Sequence, residues 1–306
     1  MKKKVAVAIC ITVVLWASAF VGIRGALRDY GPIQLAVFRY LGASVVLIPI
    51  ALANRIRLPR RRDLPLLILT GFFGFTLYNI VLNLGETMIT ASAACFIVNT
   101  NSLITALIAT LFFHETIKPR AWFGMLISLA GVALVSLGES HQGLAVNWGT
   151  GFVLLAAVAQ SVFFILQKKL LQRYSGLETV CYTMWLGALL LLPWGKGLPG
   201  AIRHAAATST LSVIYLGIFP SVVAYFCWAY VLSKLRVAKA TVFLYFVPIA
   251  TMVLSYFWLG EVPGGLSIGG GLMIITGVWL VNRREKPENA MEEAHDHRAG
   301  IRNASE

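Results

Sequence analysis

Apolar runs about as long as a bilayer is thick constrain this chain more than any other feature. A hydrocarbon core ~30 Å thick is crossed by about 20 residues of helix. Ten runs of that kind are present, at 5–24, 33–53, 64–84, 90–111, 121–138, 149–170, 178–194, 211–231, 237–257 and 264–282. They leave the 306 residues 58% apolar and 13% charged, against about 45–50% and about 25% in soluble domains. The spanning segments must be helical, because lipid offers an open strand edge no partner. The expectation is an all-α integral membrane protein with ten transmembrane helices.

The net charge of +13 would suggest nucleic acid in a soluble protein, but here the basic residues sit between the apolar runs. With the N-terminus inside, the inner flanks hold Lys2 to Lys4, Arg55, Arg57, Arg60 to Arg62, Lys118, Arg120, Lys168, Lys169, Arg173, Lys234, Arg236, Lys239, Arg283, Arg284 and Lys286. The outer flanks hold only Arg24, Arg28, Lys196 and Arg203. Lys and Arg concentrate on the cytoplasmic side, so both termini are expected in the cytoplasm of a cell with this protein in its inner membrane. Lys2 to Lys4 followed by an apolar stretch and Ala17-Ser18-Ala19 also fits a cleaved leader. Cleavage would leave nine spans and destroy the charge alternation. The polar stretch 283–306 reads as a disordered cytoplasmic tail.

The chain repeats itself. At an offset of 146, Gly71 meets Gly217, Ala94 meets Ala240, Glu115 meets Glu261, Gly124 meets Gly270 and Gly131 meets Gly277. At 145, Gly31 meets Gly176 and Leu41-Gly42-Ala43 meets Leu186-Gly187-Ala188. The repeats run over 5–138 and 149–282, and each holds five runs. Five is odd, so the second repeat enters the membrane upside down. Inverted repeats of this kind recur in secondary transporters, with the substrate site near the midplane between them.

Leu15-Trp16-Ala17-Ser18-Ala19-Phe20, then Pro32, then Phe38-Arg39-Tyr40 resembles the opening of EamA-type members of the drug/metabolite transporter superfamily. The two half-ending patterns resemble them as well: Phe112-Phe113-His114-Glu115 followed by Gly124 and Gly131, and Trp258-Leu259-Gly260-Glu261 followed by Gly270 and Gly277. The resemblance covers about residues 5–282. It implies ten helices in two inverted five-helix repeats, a cavity lined by spans 1, 3, 4, 6, 8 and 9, and export of small metabolites such as amino acids. One departure stands out. The family has proline in both fourth helices of its repeats; Pro248 is present in span 9, but its counterpart in span 4 is Ser102.

Polar groups in mid-membrane are costly unless they are paired or face water. Span 4 carries Asn99-Thr100-Asn101-Ser102, and Asn99 has Tyr245 of span 9 as its repeat partner. On a regular helix Asn99 and Ser102 share one face and Asn101 points away, which favours the first two as substrate ligands. Asn79 in span 3 has Tyr225 of span 8 as partner, with Trp228 one turn on. Trp16 in span 1 corresponds to Ser161 in span 6, beside Gln160. Aromatic and amide walls suit a zwitterion with an apolar side chain. The structural alternative for each is packing or interhelical hydrogen bonding.

Arg39 is the one cation well inside a span; it could bind a substrate carboxylate, but the favoured reading is a brace against a helix end or a loop carboxylate such as Glu86 or Glu261. Pro220 frees a carbonyl in span 8 that water or the cavity would satisfy. Glu115 and Glu261 read as caps or braces of the helices that follow them. No acid lies at mid-membrane, which favours a facilitator or a weakly coupled carrier. Gly265 and Gly269 in span 10 and Gly124 and Ser128 in span 5 permit close helix contact, either within each half or in a homodimer.

Other classes fit less well. A transferase would need an acidic cluster for Mg²⁺. A membrane protease would need a nucleophile with a base, and His114, His141 and His204 lie outside the runs. A pump would need G-x-x-x-x-G-K-[ST], which the chain lacks. Cys10, Cys95, Cys181 and Cys227 each stand alone, so neither a disulfide framework nor a zinc site is expected. The expectation is no enzyme, metal, cofactor or nucleic acid, with a small molecule and the lipid bilayer as partners. Besides amino-acid-like solutes, drugs, nucleobases or sugars remain alternatives as substrates, and so does a membrane protein that transports nothing.

Overall fold

A computed structural model of the chain describes residues 3–101, 103–105, 107–108, 119–138, 147–235, 240 and 242–282. Among them there are helices and no strands. The helices are α1 (Lys3–Ala26), α2 (Pro32–Ala53), α3 (Arg61–Glu86), α4 (Ala91–Val98), α5 (Pro119–Gly138), α6 (Trp148–Leu170), α7 (Gly176–Leu191), α8 (Ala207–Lys234), α9 (Phe246–Leu259) and α10 (Gly265–Asn282). A short helix, Leu198–His204, lies between α7 and α8. Six of them, α1, α2, α3, α6, α8 and the stretch Gly176–Trp194, are long and apolar enough to cross a membrane. Trp122–Val135, Phe243–Leu259 and Gly265–Leu280 are shorter apolar stretches. Large side chains such as Val45, Leu52, Phe123, Leu126, Leu129, Phe246, Phe257 and Leu272 are exposed. In water so large an apolar surface would aggregate; in a bilayer it is the lipid contact. Ser102, Glu115 and the tail 283–306 lie outside the described residues.

Local chemistry starts several helices. The Thr90 hydroxyl accepts from the Ala93 amide at the head of α4. Asn147 does the same for Gly149 in α6, and Ser175 with Glu178 forms a capping box on α7. Gly260 ends α9 at φ +68°, a conformation that costs other residues a steric penalty.

The contacts come in pairs offset by about 146 residues. Helix α3 packs on α6, and α8 packs on α1; α3 also packs on α7, as α8 does on α2. The winding repeats too. Wide π turns interrupt α3 at Phe72–Leu77 and α8 at Gly217–Val223. At the start of each, a glycine lets two backbones meet. A Cβ on Gly71 would lie 2.6 Å from the Thr183 carbonyl, and one on Gly217 would lie 2.9 Å from the Arg39 carbonyl.

Helices α5 and α10 form a seam of their own. Gly131 lies against Gly270, and Gly124 against Gly277. Midway between these two crossings, the Ser128 hydroxyl donates to the carbonyl of Ile274, 146 residues away, at 3.0 Å. Gly124 and Ser128 are thus used within the chain, whereas a Cβ on Gly265 or Gly269 would meet none of the described residues of other elements within 4 Å.

Candidate functional site

Helices α1, α2, α3, α6, α8 and the region from 98 to 101 surround a cavity of about 40 Å³, together with Leu244 and Val247. That is room for about three waters. Trp16, Tyr78 and Tyr225 form its aromatic part, and Arg39, Asn99, Asn101 and Gln160 its polar part. All seven are buried.

The polar wall depends on a break in helical winding. Helix α4 ends at Val98, and residues 99–100 form a turn before helix resumes at Asn101. The Thr100 amide reaches back three residues to the Ile97 carbonyl, and the side chains of Asn99 and Thr100 cap Cys95 and Ile97. Asn and Thr compete in this way with the main chain for its partners. The break overturns the expectation for Asn101. Its side chain joins Asn99 at the cavity and donates to Gln160 Oε1 at 2.6 Å. A regular helix would have separated them; four adjacent weak helix formers were the signal that regularity was the wrong assumption. Tyr78 is a further lining residue to which the sequence assigned no role.

Trp16, Asn99, Gln160 and Tyr225 line the cavity. Trp228 stands behind the wall, with its ring 5.3 Å from Trp16 and 5.2 Å from Phe164. Tyr225 lies 5.4 Å from Trp16 and 5.0 Å from Phe75. Tyr245 belongs to a short 3-10 turn, Val242–Tyr245, and its hydroxyl donates to the Val278 carbonyl of α10. Pro248 is buried in the first turn of α9, where a missing amide hydrogen costs little.

Arg39 ties α2 to α3 and α8, but not through the acids that the sequence suggested. Among the described residues the ion pairs are Arg24–Glu261 and Arg173–Asp63, and Arg39 has neither acid. Its Nε donates to Ser221 Oγ at 2.8 Å and its Nη1 to Asn79 Oδ1 at 3.3 Å, and it sits over the Tyr40 ring. Asn79 therefore holds Arg39 and the Phe75 carbonyl rather than lining the cavity. Two of the five N–H donors of a guanidinium are used this way. The remainder suit a carboxylate entering the cavity.

Pro220 also departs from expectation. It lies inside the π turn, and the Leu216 carbonyl accepts from the Ser221 hydroxyl at 2.8 Å. Serine commonly repairs a proline break in this way. Glu261 does not serve the helix that follows it. Its carboxylate accepts from Arg24 Nε at 3.1 Å and from the Ala91 amide at 3.3 Å, at the head of α4. Arg24 Nη1 donates as well to the Glu86 carbonyl. At the opposite end Lys168 Nζ donates to the carbonyl of Leu232, the repeat counterpart of Glu86, at 2.5 Å. Near this second end, Asp63 is held by Arg173 and by Tyr174 at 2.7 Å.

The model of the EamA-like transporter family matches residues 3–137 and again 147–283. This chain belongs to the EamA-like transporter family, within the drug/metabolite transporter superfamily. It is therefore a multi-pass membrane protein of a transporter family, with a small-molecule substrate and a lipid surround. It is 38% identical to Uncharacterized transporter YdfC of Bacillus subtilis (strain 168) over 264 residues, 86% of each chain. It is also 38% identical over 278 residues to the Probable terminal-alkyne amino-acid exporter of Streptantibioticus cattleyicolor, covering 90% of this chain and 93% of that one. A crystal structure 18% identical in sequence matches the fold with a TM-score of 0.63 over 92% of this chain and 96% of its own.

Proposed function

We propose that this EamA-family protein is a secondary carrier that exports small polar metabolites of amino-acid type from the cytoplasm. In this reading it crosses the inner membrane ten times as two inverted repeats, 5–138 and 149–282, with both termini in the cytoplasm. The observation that carries the reading is the composition of the central cavity. A guanidinium and three carboxamides share its lining with Trp16, Tyr78 and Tyr225. A solute carboxylate pairs with Arg39, the amides of Asn99, Asn101 and Gln160 orient the polar end, and Trp16 and Tyr225 receive an apolar side chain. The relative named as an amino-acid exporter supports the same substrate class.

The mechanism is alternating access. A cavity holding about three waters is too small for such a solute, so the halves must separate to load it. The paired contacts support two arrangements of similar energy, one open at the Arg24–Glu261 end and one at the Lys168–Leu232 end. Glu261 would act as a latch at the first end.

The test is counterflow in proteoliposomes loaded with L-phenylalanine, L-leucine, L-threonine, uracil or glucose. Saturable exchange of amino acids alone is expected. Exchange of uracil or glucose alone would move the substrate class. Flux that does not saturate and shows no counterflow would contradict a carrier.

A further inference from the structure

Glu86, the last residue of α3, is 0% exposed, and neither carboxyl oxygen has a hydrogen-bond partner. The other buried acid among the described residues, Asp63, is fully engaged by Arg173 and Tyr174. Glu86 lies one turn beyond Leu82 and two beyond Tyr78, both of which line the cavity, so it closes that wall at the Arg24 end.

Among the described residues, none supplies Glu86 a counter-charge in contact. From α1 comes Arg24, but that guanidinium bonds the Glu86 main-chain carbonyl and the Glu261 carboxylate, not the Glu86 side chain. From α2 comes Arg39, engaged by Ser221 and Asn79. Cys95 of α4, Tyr78 of α3 itself and Glu261 of the α9–α10 turn are the other titratable groups acting on it. Helix α6 meets this end through Gly149 and Val153 beside Gly85, and its first turns carry no titratable residue. An ionised carboxylate buried without hydrogen bonds is among the costliest groups a protein can hold, and a single proton removes that cost.

We infer that Glu86 is a proton-binding site that latches the Arg24 end of the cavity: it holds a proton while Arg24 engages Glu261 and gives it up to water when that end opens. The O–H bond of the acid breaks, its electron pair stays on the carboxylate, and the freed carboxylate competes with Glu261 for Arg24. This rests on the alternating-access reading, since the latch needs an end that opens. It also sharpens the expectation of a facilitator or weakly coupled carrier, which rested on acids at mid-membrane and not on one sealed at a helix end.

Two measurements on the full-length protein in lipid test it. Infrared difference spectra between about pH 5 and about pH 9 should show a protonated carboxyl band that Glu86→Gln removes. Spin labels at residues 88 and 262, both exposed beside this end, should show the open-to-closed ratio rising with pH, by up to about tenfold per unit for one proton. Glu86→Gln should stay closed at every pH. Glu86→Asp should keep the pH response with a displaced midpoint, and it serves in place of the glutamine variant if that does not fold. A wild-type spectrum without the band, or the same pH response in wild type and Glu86→Gln, overturns the proposal. Counterflow on the same samples separates a failed latch from a failed carrier: active counterflow with no pH response rejects the latch alone.

Discussion

Two helix crossings in this molecule solve the problem of close approach in opposite ways. At the α5–α10 seam, Gly124, Gly131, Gly270 and Gly277 bring regular helices backbone to backbone, and Ser128 bonds across the middle. Around the cavity, helices are broken: by a turn at 99–100, a 3-10 segment at Val242–Tyr245, and π turns at Phe72–Leu77 and Gly217–Val223. The seam spends its Ser128 hydroxyl on the Ile274 carbonyl. The broken region turns amides and a guanidinium towards a cavity. Small residues without breaks make a fixed joint, and breaks repaired by side chains make a site.

The largest effect should come from violating the fixed joint. In Gly131→Val the new atoms meet the Gly270 main chain, which cannot step aside. A loss of about 3 kcal/mol is expected, at the upper end for overpacking, seen as a clear fall in melting temperature in detergent. Asn101→Ala probes the other region. It should cut the initial rate about tenfold, equivalent to about 1.4 kcal/mol in the barrier, and cost only about 0.6 kcal/mol of stability through the lost bond to Gln160. If transport and stability fell together, the two regions would not be separable in the way described.

Ser221→Ala removes the partner of both Leu216 and Arg39. A stability loss of about 1 kcal/mol is expected, with weaker apparent affinity for carboxylate solutes and no change for uncharged ones. Gly269→Ala should do least, within about 0.5 kcal/mol and with unchanged rates, because its Cβ would meet none of the described residues of other elements within 4 Å. A large effect there would point to a second copy packed on that face.

Seam and site were each legible only in part. The offset of 146 matched Gly124 with Gly270 and Gly131 with Gly277 as repeat partners, but the close-contact expectation paired Gly124 and Ser128, which the seam uses, with Gly265 and Gly269, which it does not; Gly270 and Gly277 fill that place. Trp16, Asn99, Gln160 and Tyr225 were legible because buried polar and aromatic residues are conspicuous in an apolar run. Asn101 was not, since its direction depends on a break that residue periodicity assumes away. The partner of Arg39 was hidden as well: Ser221 lies 182 residues further along and is carried there by a π turn. A carboxylate was the obvious expectation, but Glu261 is held by Arg24. Of the span-4 motif, Ser102 lies outside the described residues, as does Glu115.

The claim on which the rest depends is that the two ends of the cavity open in turn. The direct test uses two spin-label pairs on a background without Cys10, Cys95, Cys181 and Cys227. One pair, at residues 88 and 262, reports the Arg24–Glu261 end; the other, at exposed residues 172 and 233, reports the Lys168–Leu232 end. Distances are measured in lipid with and without a solute that counterflow selects. The account predicts that solute shifts the two distance distributions in opposite senses, one end lengthening as the other shortens. Ends that lengthen together, or two distributions that ignore a transported solute, would contradict it.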